Sequence, residues 1–285
     1  CFLLNIDVRF RAYLPVLQDA ILSPVTKSPP AQLLKHHRTR IFAEIMQQLV
    51  IGAGSAIAKA LIQQNLKQGD SIVAVSRQAG GLEETSAGSR LQRLQCDYTE
   101  SSIDAVCAEL RESGVGFDRV TICNGILHHE GLSPEKRLEN ASIAPLESVM
   151  RINAFVPLLW VKALKPLLKV NRKPCVITAL SARVGSIGDN ERGGWYAYRA
   201  SKAALNMLLK TAALEYRREV KLVQFLLFHP GTTDSPLSKP FQKNISPTKL
   251  FTPEFVASQL MRLQGDLKPD LPIQFLDWQG KRVEW

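Results

Sequence analysis

No stretch of this 285-residue chain approaches the roughly 18 uninterrupted apolar residues that a membrane-crossing helix needs, so a spanning protein is not expected. Cysteine is scarce and unpatterned. The five (Cys1, Cys96, Cys107, Cys123 and Cys175) are an odd number, with no C-x-x-C pair and no histidine at zinc spacing. A disulfide scaffold and a zinc module are excluded, and a reducing cytoplasm is the expected location. A block of basic residues interleaved with aromatics is also missing. The chain does carry 36 Lys+Arg against 26 Asp+Glu, a net charge of +10, but residues 1–45 hold only six and three of these, so the surplus is spread. We read it as a solvated basic surface suited to phosphate-bearing ligands and expect no nucleic-acid partner. Apolar residues make up 45% of the chain, enough to bury one sizeable core.

Residues 1–45 do not read like the rest. Pro15, Pro24, Pro29 and Pro30 interrupt each short apolar run, Lys35 to Arg40 is nearly all basic, and no clean secretory signal is present. The first methionine is Met46, where a regular pattern begins, so 1–45 is expected to be irregular, a fragment end or an extension upstream of the true start. From 46 to 285 short apolar runs alternate with longer segments of helical period, the pattern of β-α-β units around a parallel sheet. Strands are predicted near Gln47–Ile51, Ser71–Val75, Leu91–Leu94, Arg119–Cys123, Cys175–Leu180, Leu222–Phe228 and Ile273–Leu276. Helices are predicted at Ala56–Lys67, Ser102–Glu112, Leu146–Leu168, Tyr198–Arg217 and Pro253–Leu263, with Ser101 and Thr252 where N-caps belong.

The first strand-to-helix junction reads Val50-Ile51-Gly52-Ala53-Gly54-Ser55-Ala56-Ile57. A tight turn there aims free backbone N–H groups and the positive helix end at a ligand phosphate, making Gly52, Gly54, Ser55 and Ile57 candidate dinucleotide contacts. Small residues serve close strand-to-helix packing equally well. The second strand ends in Ser76-Arg77. A guanidinium there is placed to pair with a phosphate on the adenosine ribose, whereas NAD-preferring sites carry an acid, so NADP(H) is expected over NAD(H). Asp97, after the third strand, is placed to accept from the adenine amino group or to cap a turn. Tyr198 and Lys202 lie four apart in a predicted helix and share a face. A positive charge beside a phenol favours the phenolate and lowers a pKa ordinarily near 10, so Tyr198 is a candidate general acid/base.

Taken in order, the Gly52 turn, Ser76-Arg77, Asp97, Asn124-Gly125, Asn153, Ser181, Tyr198/Lys202 and Pro230-Gly231 resemble the short-chain dehydrogenase/reductase family over essentially all of 46–285. Residues 124–129, 181–187 and 193–206 are similar to its carbonyl-reductase-like group, which includes the cell-to-cell signalling C-factor proteins. The resemblance implies a single doubly wound Rossmann-type α/β domain with about seven parallel strands. It also implies metal-free, NADP(H)-dependent interconversion of a small carbonyl and an alcohol. Tyr198 would exchange the proton, Lys202 would hold the nicotinamide ribose, and Asn153 would hold the water that passes protons to the lysine. Asn124 and Gly125 would border the ribose, and Pro230, Gly231 and Thr233 the nicotinamide carboxamide. The loop from Pro236 to Pro247 would be a lid over the substrate.

The catalytic-serine segment and the glycine turn depart from the family pattern, at three positions. Its second, catalytic serine falls on Ala182, leaving Ser181 as the nearest hydroxyl and Ser186 as a substitute. Its last two glycines fall on Ala56 and Ala58. These departures raise an alternative, a signalling protein of the same fold that binds nucleotide with little turnover. Helices 146–168 and 198–217 are apolar on more than one face, so a homodimer or homotetramer is expected. The adjacent His128 and His129 make a poor metal pair, and Trp278 and Trp285 are expected to serve packing or a subunit contact.

Overall fold

The computed structural model describes residues 45–78, 88–268 and 270–285, so the expectation for residues 1–44 lies outside the described residues. Gln-Gln-Leu-Val-Ile forms β1 (Gln47–Ile51), whose last four residues are buried, as both faces of a parallel strand require. The chain continues through α1 (Ala56–Gln68), β2 (Ser71–Ser76), β3 (Leu91–Gln95), α2 (Glu100–Glu112) and β4 (Arg119–Ile122). There follow α3 (Ile143–Met150), α4 (Val156–Val170), β5 (Cys175–Leu180), α5 (Tyr196–Glu219) and β6 (Val223–His229). Two short strands, β7 (Thr232–Thr233) and β8 (Leu250–Phe251), pair with each other before α6 (Pro253–Gly265) and β9 (Ile273–Asp277).

Seven strands form one parallel sheet in the order β3-β2-β1-β4-β5-β6-β9. Ile51 is level with Val75 on one side and Ile122 on the other. Winding therefore reverses between β1 and β4, and their carboxyl ends open the crevice where such sheets bind ligands. One face carries α2, α4 and α5, packed through Val106, Trp160, Leu164, Leu205 and Leu209. The other carries α1 and α6, packed through Ile57, Leu61, Val256 and Leu260. Each such side chain contributes about 1.5–3 kcal/mol by leaving water. At one sheet edge all five residues of β9 are buried because the following tail folds back along it: Asp277 N–H donates to Lys281 O and Val283 N–H to Phe275 O, both at 2.9 Å.

The seven strands lie within a residue or so of their predicted limits. Two expectations about the connections need correction, and two short strands were not anticipated. The cap of α2 is Thr99, whose Oγ1 accepts the Ser102 N–H at 3.3 Å, rather than Ser101; Thr252 does cap α6. The single helix expected over 146–168 is broken by a π turn at Arg151–Phe155, because Pro157 has no N–H to give the carbonyl four residues earlier, that of Asn153. The strands β7 and β8, two residues each, are too short to carry a period. Among the described residues, no helix is long and apolar enough to cross a membrane.

Candidate active site

β1 ends at Ile51 and the chain must turn at once against β4. Gly52 makes that turn at φ +78°, and a Cβ there would lie 3.0 Å from both the Asn124 nitrogen and the Cys123 carbonyl carbon. Neither the torsion nor the space admits a side chain. The N–H groups of Gly52 and Ala53 both donate to Val75 O, at 2.9 and 3.0 Å, and that of Ser55 to Gly52 O at 3.1 Å. The expected free amides thus narrow to those of Gly54, Ala56 and Ile57, at the positive end of α1. Ser55 itself caps α1, accepting the Ala58 N–H at 3.3 Å. Ala58 is fully buried between helix and sheet, so its methyl is accommodated there.

Along the carboxyl ends of the neighbouring strands, the Arg77 guanidinium is exposed and Ser76 Oγ donates to Gln78 O at 2.5 Å. Asp97 Oδ1 accepts both the N–H and the hydroxyl of Thr99, at 2.9 and 2.7 Å. These bonds hold its carboxyl below the usual range and close a turn through Oδ1. Asn124 is buried with Oδ1 unpartnered, and so is Thr233 with Oγ1 unpartnered, among the described residues. A buried polar atom without a partner is costly. Two of them flanking the crevice beside a Cβ-free turn are what a polar ligand such as a dinucleotide would satisfy, so the residues present fit that cofactor. Pro230 and Gly231, between β6 and β7, are half-buried on the same side as Thr233.

Lys202 is 3% exposed, and its Nζ donates to the Leu180 carbonyl at the end of β5 at 2.7 Å. A Cβ on Gly125 would sit 3.6 Å from that Nζ and 3.6 Å from Asn153 Oδ1, so the three positions converge. The Asn153 side chain is fully used: Oδ1 accepts the Ile126 N–H at 2.7 Å, and Nδ2 donates to Ile126 O at 2.9 Å and to Ser201 Oγ at 3.0 Å. Tyr198 stands one turn before Lys202, its ring centroid 5.8 Å from Nζ. The expected lowering of the phenol is not found here. The ammonium is turned toward Leu180, and burial pushes Tyr198 up to about 12 while pulling Lys202 down to about 8.

Ser181 Oγ, also buried, donates to Asn206 Oδ1 at 2.6 Å, so as placed its single proton is spent within the fold. Asn206 in turn donates to Gly185 O at 3.4 Å. Ser186 accepts the Asp189 N–H at 3.2 Å, and Ala182 is buried. His128 Nε2 lies 3.1 Å from the carbonyl oxygens of both Pro236 and Leu237, while His129 Nδ1 lies 2.5 Å from Glu130 O. Trp278 packs on Phe251 at 4.4 Å, and Lys210 Nζ stands 4.4 Å over the Trp285 ring. Sequence reasoning passed over Ser201, Asn206, Trp195 and Glu135. The first three lie in or beside the Tyr198–Lys202 motif, which was a usable signal, but Glu135 is a single acid in a long loop and gave none.

A doubly wound parallel sheet with a buried lysine one turn beyond a tyrosine at its switch point belongs to an oxidoreductase class. A family model described as short chain dehydrogenase matches residues 47–246, and this chain belongs to that family. It is 30% identical over 239 residues to a 1-hydroxy-2-glutathionyl-2-methyl-3-butene dehydrogenase of Rhodococcus, covering 83% of this chain and 98% of the relative. The C-signal protein of Myxococcus xanthus is 32% identical over 148 residues, 52% of this chain and 83% of its own. Among solved structures, an NADPH-bound carbonyl reductase from chicken fatty liver superposes with TM-score 0.73 at 24% identity, covering 85% of this chain and 99% of its own. The protein is thus an oxidoreductase of the short-chain dehydrogenase/reductase family, with carbonyl-reductase-like relatives.

Proposed function

We propose that this enzyme interconverts a small carbonyl and an alcohol with NADP(H), Tyr198 exchanging the proton with the substrate oxygen. The observation that carries this is the convergence of Gly125, Asn153 and the buried Lys202 one helical turn from Tyr198. At neutral pH a phenol held up near 12 keeps its proton, the state a donor to a carbonyl oxygen needs. Lys202, pulled down to about 8, gives up and regains a proton readily, as a relay to solvent must. The Asn153 carbonyl, which Pro157 cannot serve, is assigned the relay water, since the Asn153 amide is already committed. Gly54, Ala56 and Ile57 would hold the pyrophosphate, Asn124 and Gly125 the ribose, Thr233 the carboxamide, and the exposed Arg77 a 2′-phosphate, which favours NADP(H). When bound, that cofactor supplies or accepts the hydride. The bound NADP of a short-chain dehydrogenase/reductase from Burkholderia multivorans and the bound NADPH of the chicken carbonyl reductase agree with this assignment.

The experiment is a titration of NADPH fluorescence with the protein, followed by a panel of aldehydes and ketones. Tyr198→Phe is expected to lower turnover by about 10²–10⁴-fold at unchanged NADPH affinity. Wild-type binding without any turnover selects instead the nucleotide-binding signalling role raised by Ala56 and Ala182.

A further inference from the structure

α5 starts from three consecutive left-handed residues: Gly193 at φ +61°, Gly194 at +65° and Trp195 at +55°. Glycine takes these torsions freely, but a tryptophan pays about 1–2 kcal/mol for one. Trp195 occupies the N-cap position and makes no side-chain cap bond. A residue some sixty positions earlier supplies what is missing. The Glu135 backbone carbonyl accepts the Trp195 N–H at 2.6 Å, and its carboxylate Oε2 accepts the Ala197 N–H at 3.2 Å. Glu135 is only 4% exposed, and its Oε1 is buried with no partner among the described residues. A buried acceptor oxygen without a partner is costly, and stability alone would favour an apolar residue there. A strained residue and an under-satisfied acid thus meet at one spot, the combination expected where geometry serves a reaction.

What the pair fixes is visible around it. The Trp195 indole lies 6.1 Å from the Tyr198 ring and 5.1 Å from Phe241 of the loop after β7. Glu135 itself lines the same recess as Leu127, Val149 and Tyr198. We propose that Glu135 is a positioning residue for the reductase reaction, clamping the left-handed turn at 193–195 so that Tyr198 and the Trp195 indole form one wall of the substrate site. This rests on the reductase reading above. In this role the carboxylate acts as an acceptor for the Ala197 N–H.

Two variants separate this from plain stabilisation. Glu135→Gln keeps an acceptor oxygen for Ala197, whereas Glu135→Leu keeps the bulk and loses it. With benzaldehyde and NADPH as probes, Glu135→Leu is expected to lose about ten-fold or more in kcat/KM, with NADPH affinity within two-fold of wild type. Its near-ultraviolet circular dichroism, to which the Trp195–Tyr198 pair contributes, is expected to change, and Glu135→Gln to restore most of both. Equal loss in the two variants, a wild-type kcat/KM in Glu135→Leu, or a parallel fall in NADPH affinity overturns the proposal. Should Glu135→Leu not fold, Trp195→Ala decides: the same fall in kcat/KM at retained NADPH affinity supports it, and an unchanged value overturns it. An inactive wild type overturns the reductase reading and this inference together, whereas an active wild type with an indifferent Glu135→Leu overturns this inference alone.

Discussion

His229 ends β6 immediately before Pro230, its Nδ1 buried without a partner among the described residues. Burial, with the Arg183 guanidinium adding to it against the pull of Asp277, brings its pKa down to about 4. The unfolded chain takes up the proton near 6.5, so between about pH 6.5 and 4 it binds more protons than the folded one. Stability should therefore fall as pH is lowered through that window, by at most about 3 kcal/mol from this group, and be unaffected by it above. Urea midpoints at pH 7 and 4.5 measure the difference, and His229→Gln should shrink it. At this scale the sequence told most where chemistry follows spacing: the Tyr198–Lys202 interval placed both on one helix, and Asn153 and Gly125 proved to converge with them. It told least where a role depends on which way a hydroxyl points. Nothing in Leu180-Ser181-Ala182 discloses that Ser181 donates to Asn206, twenty-five residues on.

Among the elements, the β1–α1 turn offers a controlled comparison. Gly52→Ala would force a methyl to within 3.0 Å of two backbone atoms at a left-handed torsion, with expected costs of about 1–3 kcal/mol and a loss of NADPH affinity as the turn moves. Gly54→Ala, with nothing within 4 Å among the described residues, should leave thermal stability unchanged or slightly raised because it restricts only the unfolded chain. Thermal unfolding and the NADPH titration check both, and a Gly52→Ala protein as stable as Gly54→Ala would refute the argument. The inner strands were legible because burial on both faces leaves runs such as Val-Ile-Thr-Ala-Leu unmixed with charge, unlike the exposed edge strand β3. The break between α3 and α4 was not, since the apolar period runs through it and only Pro157 marks it. The expected lid contains a 3₁₀ turn at Lys239–Asn244, and Phe241 within it meets His128 edge to face at 5.6 Å, a contact between distant loops that no local pattern encodes.

For the molecule as an assembly, three of the exposed apolar side chains among the described residues matter most. Met207 and Leu214, seven apart on α5, are 64% and 51% exposed, and Phe155, just before α4, is 48% exposed. Side chains seven apart share a helix face, and α4 and α5 are neighbours, so we propose that this surface pairs copies of the chain as a homodimer or homotetramer. Light scattering at micromolar concentration should give at least twice the monomer mass, and Leu214→Glu should reduce it. A wild-type monomer would dismiss the idea.

The tail along β9 bears on how copies meet in an unwanted way. An edge strand with unpaired backbone groups is a template for further pairing, and at the β9 edge Lys281 and Val283 occupy that backbone. Cutting the chain after Gly280 would strip that cover and present Phe275 and Asp277 as a template for a foreign strand. The few residues after the last strand thus act as a stopper against open-ended growth of the sheet.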